Sequence, residues 1–185
     1  MSIFVSRPEG KYEAIPTGVR LAVCVNVFDI GWHPGFEGRL QRKVVILWEL
    51  ADRKQDGSRF QVTKSYTASL GEKANLLRDL ESWRGSAFTE DELKRFDLEK
   101  LIGAPCQLNL VDKIRQDGRK FAEIVGVMRL SRGQAPLDIE TGADYIPEWV
   151  KKEIASQQPA PAHEDSVSPQ DAPASEPLFN DDIPF

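Results

Sequence analysis

Two Asp-Gly pairs, each placed between two apolar runs, constrain the fold of this chain more than any other feature. They are Asp56-Gly57 and Asp117-Gly118, and runs rich in β-branched and aromatic residues flank both. Asp-Gly in this position is a strong signal for an antiparallel hairpin, since both residues tolerate the positive φ of a tight turn. The sequence therefore predicts a mainly β body that contains two antiparallel hairpins.

Five segments have the composition of strands, and their order along the chain narrows the fold further. They are residues 19–30, 43–51, 59–69, 105–114 and 120–130. Helical patterns fill the gap between the third and fourth segments. Three strands, a helical insertion and two strands match the OB-fold, a five-stranded Greek-key barrel. We therefore expect an OB-fold domain over residues 19–135, with an N-terminal extension over residues 1–18.

Two capping-box patterns mark the predicted helices of the insertion. Ser69 with Glu72 precedes an apolar stripe, and Thr89 with Glu92 begins a second helix. In a capping box the hydroxyl and the carboxylate accept hydrogen bonds from backbone N–H groups that would otherwise be free. After the last strand, residues 136–155 form a connecting segment in which we expect a short amphipathic helix.

Residues 156–185 differ sharply in composition from the body. They hold six prolines and six acidic residues, with no Lys or Arg. Because the whole chain carries a formal charge of −5 and this tail carries −6, residues 1–155 carry +1. Apolar residues in the tail are too few to offset the entropy lost on ordering. We therefore expect a disordered, acidic C-terminal tail behind a nearly neutral body.

Several classes of function are disfavoured by what the sequence lacks. Cys24 and Cys106 lie in apolar runs, as buried thiols of a reducing cytosol would, and His33 and His163 are too far apart to form a metal-ligand pattern. No phosphate-binding loop or nucleophile motif occurs, and the apolar run 21–28 is too short to span a bilayer. We expect a cytoplasmic, non-catalytic protein with no metal, no cofactor and no membrane contact.

Cations and aromatic rings are concentrated where an OB-fold binds its ligands. Such barrels bind on the second and third strands, flanked by the loops between strands 1 and 2 and between strands 4 and 5. Single-stranded nucleic acid requires cations for its phosphates and aromatic faces for its bases. The residues that this pattern predicts to bind single-stranded DNA (ssDNA) are Trp32, Phe36, Arg39, Arg42, Lys43, Trp48, Arg53, Arg59, Lys64, Tyr66, Lys113, Arg115, Arg119 and Lys120.

A structural role is the alternative for several of these residues. Hairpin tips carry Lys and Arg in most soluble proteins, where they are simply solvated. Trp48 lies in an apolar run that is typical of a core strand, and Tyr66 could face either side of its strand. Trp32 and Phe36 lie in a glycine-rich loop, which is a poor place to bury rings.

The chain ends in Asp181, Asp182, Ile183, Pro184 and Phe185, and this ending resembles the acidic tip of bacterial single-stranded DNA-binding proteins (SSB). That family couples an N-terminal OB-fold to a Pro-rich disordered linker, and its tip docks on replication and repair enzymes. The resemblance implies that these five residues bind partner proteins. Phe185 and Ile183 would enter an apolar pocket, the terminal carboxylate would pair with a basic residue, and the two aspartates would meet a basic ridge.

The body resembles a different group. Residues 80–111, together with the run VVILWEL, look like a group of phage-encoded proteins thought to act in replication or recombination. This resemblance implies a viral or prophage SSB in the cytoplasm of a bacterial host, and it leaves open whether the protein is a homo-oligomer.

Two hypotheses follow from these patterns. The first is a non-catalytic protein that coats ssDNA in replication, recombination or repair, and that recruits host enzymes through its C-terminal tip. The second is a protein-interaction module, or a decoy that captures the enzymes which bind SSB tails. The net charge of only +1 on residues 1–155 motivates the second hypothesis. Steep salt dependence of binding is expected from the first hypothesis only, because phosphate contacts release counterions.

Overall fold

Five antiparallel strands form one sheet in the computed structural model, which describes residues 13–161 with the exception of the side chain of Phe36. The strands are β1 (Gly18–Pro34), β2 (Leu40–Arg53), β3 (Arg59–Thr67), β4 (Pro105–Ile114) and β5 (Lys120–Met128). Their order in the sheet is β3-β2-β1-β4-β5. The predicted mainly β body with five strands is therefore confirmed, and most of the expected tail lies outside the described residues.

Both Asp-Gly hairpins form where the sequence predicts them. Gly57 and Gly118 have φ values of 86° and 79°, which favour glycine over other residues. In each turn the aspartate side chain accepts a hydrogen bond from the backbone N–H two residues later, at 2.9 Å for Asp56 and 3.0 Å for Asp117. These local bonds fix the register of β2 with β3 and of β4 with β5.

Among residues 13–161, three α-helices lie outside the sheet, namely α1 (Asn75–Arg84), α2 (Glu90–Lys94) and α3 (Glu148–Ala155), and short 3-10 turns cover Phe36–Gly38 and Leu98–Leu101. The capping box of Thr89 with Glu92 is confirmed, since Thr89 N donates to Glu92 Oε2 at 2.8 Å and Glu92 N donates to Thr89 Oγ1 at 3.3 Å. The box predicted for Ser69 and Glu72 is wrong. The first helix begins later, and Ser69 Oγ accepts from Gly71 N instead.

The main core lies between the inner face of the sheet and α1. Trp48 of β2 packs on Trp83 of α1 with their ring centroids 5.9 Å apart. Cys24 and Cys106 are free thiols in this core, and burial raises the pKa of the Cys24 thiol to about 12. Both cysteines therefore act as small apolar side chains, and each large residue buried here contributes about 1.5–3 kcal/mol.

The outer face of β1 and β2 is covered by residues 137–158, which we call the strap. Val150 of α3 is fully buried against an apolar cluster that includes Val25, Phe28, Val45 and Leu47. Beyond these contacts the strap is attached to β1 by three polar contacts, namely Asn26 Nδ2 to Ala143 O at 3.4 Å, Gln158 N to Trp32 O at 2.8 Å, and His33 Nδ1 to Glu153 Oε2 at 3.5 Å. The sheet is therefore buried on both faces along β1 and β2. None of the α-helices among residues 13–161 has the length and hydrophobicity that a membrane-spanning helix requires.

Candidate nucleic-acid interface

A groove of about 940 Å³ runs beside the end of β3, and we call it the β3 groove. Its walls come from the end of β1, the start of β2, the end of β3 and the loop that enters α1. The residues that give it its chemistry are Pro34, Lys43, Lys64, Thr67, Lys73 and Asn75. Three lysines against one carboxylate, that of Glu72, with neighbouring hydroxyl and amide groups, make a surface that favours an anionic, hydrogen-bonding ligand.

The three lysines differ in the polar contacts that their ammonium groups make. The ammonium of Lys43 donates to Pro34 O at 3.1 Å, and that of Lys64 pairs with Asp79 Oδ2 at 2.6 Å. Lys73 is exposed and has no ion pair among residues 13–161. Lys73 is therefore the lysine of the β3 groove that is most available to a phosphate.

Asp79 of α1 binds two residues that line this groove, Tyr66 and Lys64. Tyr66 donates its hydroxyl to Asp79 Oδ2 at 2.9 Å, beside the Lys64 ion pair. Burial, with the charge of Asp79 beside it, raises the pKa of Tyr66 above its ordinary value, so the phenol remains neutral. Tyr66 is only 4% exposed, and its ring is therefore closed to base stacking. The predicted role of Tyr66 in binding is replaced by a structural role in docking α1 on β3.

A second groove, of about 750 Å³, lies along the β4–β5 hairpin, and we call it the hairpin groove. Its lining includes three cations, Arg115, Arg119 and Lys120, one carboxylate, that of Asp112, and the apolar residues Ile15 and Phe121. The guanidinium of Arg115 lies 5.0 Å from the centroid of the Phe121 ring. A planar cation stacked on a ring, beside two further cations, is suited to contact both a base and a phosphate.

The two grooves lie at opposite ends of β1. Pro34, at the end of β1, lines the β3 groove, and Gly18, at its start, pairs with Leu110 of β4 near the base of the other hairpin. The sequence suggested that the basic loops surround a single groove. The strand register instead places the loop between β1 and β2 at one end of β1, and both Asp-Gly hairpins at the other.

The arginines of the β2–β3 hairpin are engaged in contacts with the strap. Arg59 contacts Glu49 Oε1 and Glu140 Oε1, both at 2.7 Å, and Arg53 contacts Glu140 Oε1 at 2.5 Å. Glu49 is fully buried and also accepts from Thr141. Burial raises the pKa of Glu49, but its hydrogen bonds with Thr141, Glu140 and Arg59 lower it by more, so the carboxylate stays charged. Arg53 and Arg59 are therefore largely occupied by the protein itself.

Trp48 is 0% exposed, so it cannot stack on a base while the core is intact. The prediction that Trp48 contacts ssDNA is therefore corrected to a core role. The sequence could not decide this point, because residues on both faces of β2 are apolar.

The remaining predicted residues lie near the two ends of β1. Trp32 is half-buried, Arg39 is exposed, and Arg42 forms an ion pair with Asp29 through two hydrogen bonds. The hydrogen bond from Arg42 lowers the pKa of Asp29. Lys113 pairs with Glu123 at 2.6 Å. The side chain of Phe36 lies outside the described residues.

Sequence reasoning missed Lys73 and Phe121. Lys73 is the first residue of the segment predicted as the first helix, so a solvated helix residue is the natural interpretation. In the structure Lys73 precedes α1 and lines the groove beside β2 and β3. Phe121 lies in a strand-like run, where a core role is the natural interpretation. The signal for Phe121 was its place directly beside Arg119 and Lys120.

Comparison with known proteins does not identify the chain. No family model matches it, and no curated protein matches it. The SSB-like tip, Asp181 to Phe185, lies outside the described residues. Among residues 13–161 no cluster of three or more His, Cys, Asp or Glu side chains could hold a metal ion.

Proposed function

We propose that this protein is a non-catalytic ssDNA-binding protein, of the phage-encoded type, that coats single strands in replication, recombination or repair. One observation carries the proposal: the β3 groove gathers Lys43, Lys64 and Lys73 beside β2 and β3. Those are the strands on which an OB-fold binds oligonucleotides.

An OB-fold body is part of the proposal. The strand order β3-β2-β1-β4-β5 supports it, since the first strand of such a barrel pairs with both the second and the fourth. The helix between β3 and β4 touches both edges of the sheet. Lys64 of β3 binds Asp79 of α1, and Arg129, just after β5, donates its N–H to Ser82 O at 3.1 Å. These contacts draw the two edges toward one another, as barrel closure requires.

Binding would combine phosphate neutralisation with limited base stacking. Lys73 and Lys43 supply ammonium groups for phosphates, while Thr67 and Asn75 supply further hydrogen-bonding groups. Stacking of a base on an aromatic ring adds about 1–3 kcal/mol and tolerates any sequence. Trp32, half-buried two residues before Pro34 of the groove lining, is the candidate ring.

The tip would recruit partner enzymes of the host. Phe185 and Ile183 offer apolar side chains, Asp181 and Asp182 offer negative charge for a basic rim, and Pro184 limits the entropy lost on ordering. In this proposal the body holds DNA and the tip holds a protein.

A protein-interaction module is the second candidate, and the strap favours it. The strap fills the outer face of β1 and β2, and it carries two exposed aromatic residues, Tyr145 at 42% and Trp149 at 40%. Exposed aromatic residues are enriched at protein interfaces. In this alternative the tip acts as a decoy for enzymes that bind SSB tails.

Titration of fluorescent oligo(dT) with the full chain, and with a chain shortened to residue 161, separates the two candidates. Under the first proposal the shortened chain binds at low salt, and the logarithm of the binding constant falls by about 0.7 per phosphate contact for each decade of salt. Substitution Lys73→Glu lowers the affinity, whereas Lys100→Glu, an exposed lysine that lines neither groove, has little effect. Absence of binding at low salt, or affinity independent of salt, would exclude the ssDNA proposal.

A further inference from the structure

We propose that the hairpin groove is the docking site of this chain's own N-terminal segment, with residues 3–5 as the docked part. Three apolar residues of the groove lining, Ile15, Phe121 and Ala122, are only half-buried. Ile15 and Ala122 also pack against the main core. The apolar part of the groove is therefore an extension of the core, and an occupant with apolar side chains completes it. The proposal does not depend on ssDNA binding.

The described part of the chain begins at the edge of this groove. The two carboxylate oxygens of Glu13 accept from Gln55 N, at 3.1 Å and 2.9 Å, and these contacts tie the chain to the β2–β3 hairpin. The next two residues, Ala14 and Ile15, line the groove. Twelve residues precede Glu13 and lie outside the described residues. Because they are joined directly to the groove wall, any apolar run among them has a high effective concentration there.

These twelve residues contain an apolar run followed by a turn signal. The run is Ile3-Phe4-Val5, and the turn signal is Pro8-Glu9-Gly10. In a three-residue hairpin loop, proline suits the first position because its φ is fixed near about −65°, and glycine suits the third because that position has a positive φ. The sequence therefore predicts that the chain reverses direction at residues 8–10.

The register of such a hairpin returns the apolar run to the groove. With a loop of residues 8–10, residues 7 and 11 form the first pair, so Phe4 lies opposite Ala14 and Ile3 lies opposite Ile15. Ala14 and Ile15 are the two residues of this strand that line the groove. Directly opposed side chains of an antiparallel pair contact each other. The two largest apolar residues of the run thus meet the groove lining.

The charges of the segment are compatible with this arrangement. Residues 2–6 have no charged side chain, so no charge has to be buried in the groove. Arg7, Glu9 and Lys11 lie in or beside the turn, at the end of the hairpin that is farthest from Ile15. The three cations of the groove can keep their charged groups in water while their aliphatic stems cover the apolar run. A groove filled in this way is closed to nucleotide bases.

The C-terminal tail is the competing occupant, because its acids match the cations of the groove. Its attachment point is less favourable. Gln158, three residues before the end of the described chain, donates its N–H to Trp32 O at 2.8 Å, near the end of β1. The hairpin groove lies toward the start of β1, where Gly18 pairs with Leu110. The N-terminal segment, which starts at the groove itself, therefore has the higher effective concentration there.

Hydrogen exchange of the full chain, followed by mass spectrometry, tests whether the apolar run covers the groove. Phe4→Asp places a charge in the run, and exchange in residues 119–123 should become about tenfold faster or more as the segment leaves. Leu178→Asp is the matched change in the C-terminal tail and should leave this exchange as it is in the wild type. Circular dichroism should show that both variants are folded.

An engineered disulfide tests the register and the source of the segment. Phe4→Cys combined with Ala14→Cys should form a disulfide within one chain on mild oxidation, since directly opposed residues have the required separation. Ser6→Cys combined with Ala14→Cys is the control, because residue 6 is out of register with residue 14. The control should react about tenfold more slowly, although its loop is shorter. The native Cys24 and Cys106 are buried and do not compete.

Four results would overturn the proposal. Equal exchange in the wild type and in Phe4→Asp would show that the apolar run does not cover the groove. Equal rates for the two cysteine pairs would show that the predicted hairpin does not form. A disulfide between two chains would assign the groove to the segment of a second copy. Faster exchange in residues 119–123 of a chain shortened to residue 161, with no effect of Phe4→Asp, would assign the groove to the C-terminal tail.

Discussion

Glu49 and Thr141 lie 92 residues apart in the chain, yet the carboxylate of Glu49 accepts two hydrogen bonds from Thr141. The backbone N–H of Thr141 donates to Glu49 Oε2 at 2.8 Å, and its hydroxyl donates to the same oxygen at 2.5 Å. The other oxygen of Glu49 accepts from Glu140 N at 3.0 Å and from Arg59 Nη1 at 2.7 Å. A buried carboxylate on β2 thus holds the beginning of the strap against the sheet.

Substitution Glu49→Gln should loosen the strap. The side-chain amide keeps the size of the carboxylate, but it loses the charge and turns an N–H₂ group toward donors. We expect the free energy of unfolding to fall by about 3 kcal/mol, the cost of breaking a buried ion pair. The substitution should also increase the rate of hydrogen exchange in the strap by more than in β4 and β5. Urea denaturation and exchange mass spectrometry measure the two effects.

Glu123→Gln is the matched control for this prediction. Glu123 pairs with Lys113 at 2.6 Å, but both side chains are more than one third exposed. The change should lower the free energy of unfolding by less than about 1 kcal/mol. An equally small effect at Glu49 would mean that the Glu49 network does not hold the strap.

The strap also explains which parts of the fold the sequence could predict. Hairpins and strands are local, so Asp56-Gly57, Asp117-Gly118 and the five strands could be read from neighbouring residues. The orientation of β2 could not be predicted in this way, because Ile46 and Trp48 face α1 while Leu47 and Glu49 face the strap. With both faces buried, the apolar alternation that marks an inner face is missing. Only the position of the strap, which lies far away in the sequence, determines which face of β2 each side chain occupies.

The candidate site was predictable in its charges but not in its geometry. Their positions at a hairpin turn identified Arg115 and Arg119 as surface cations, and Lys43 was predicted as a cation on the second strand. Their partners lie far away in the sequence, so the occupation of Arg59 by Glu49 and Glu140 could not be foreseen. For the same reason the burial of Tyr66 could not be predicted, because its hydrogen-bond partner Asp79 lies on a separate helix.

The ionisation of Glu92 should make the free energy of unfolding depend on pH in the acidic range. Its hydrogen bond with Arg84, then that with Thr89 N, lowers the pKa of Glu92 from 4.5 to about 2. A carboxyl whose pKa is lower in the folded state stabilises the fold above its unfolded pKa, and this contribution is lost as the pH falls through the folded value. The stability of the wild type should therefore decline between pH 4.5 and about 2.

Glu92→Gln isolates that contribution. At neutral pH the variant should be less stable than the wild type by about 1 kcal/mol, because Gln can keep the capping box but loses the charge that pairs with Arg84. Because its side chain does not titrate, the difference should shrink toward zero as the pH falls toward 2. Thermal unfolding followed by circular dichroism across this range measures it. A difference that stays constant with pH would show that the ion pair of Glu92 with Arg84 is not responsible.

Trp48→Phe separates a core role from a stacking role. The indole of Trp48 packs on Trp83, and its replacement by a smaller ring leaves a cavity. We expect the free energy of unfolding to fall by about 2 kcal/mol and the affinity for oligo(dT) to stay unchanged. Trp149→Phe, at an exposed position on α3, is the control and should change stability very little. Weaker oligo(dT) binding by a fully folded Trp48→Phe protein would restore Trp48 to the binding surface.

Phe185→Ala should separate partner binding from DNA binding. The aromatic ring is the largest apolar group of the tip, and its removal leaves the cations of both grooves untouched. We expect the affinity for oligo(dT) to be unchanged, while binding to a purified bacterial repair enzyme that recognises SSB tips falls at least tenfold, since a central aromatic anchor is worth about 2 kcal/mol or more. Leu178→Ala, an apolar change in the same tail but outside the tip, is the control. Surface plasmon resonance with immobilised enzyme measures the partner contact, and fluorescence anisotropy measures the DNA contact. Equal loss of both activities in Phe185→Ala would show that the tip and the body do not act separately.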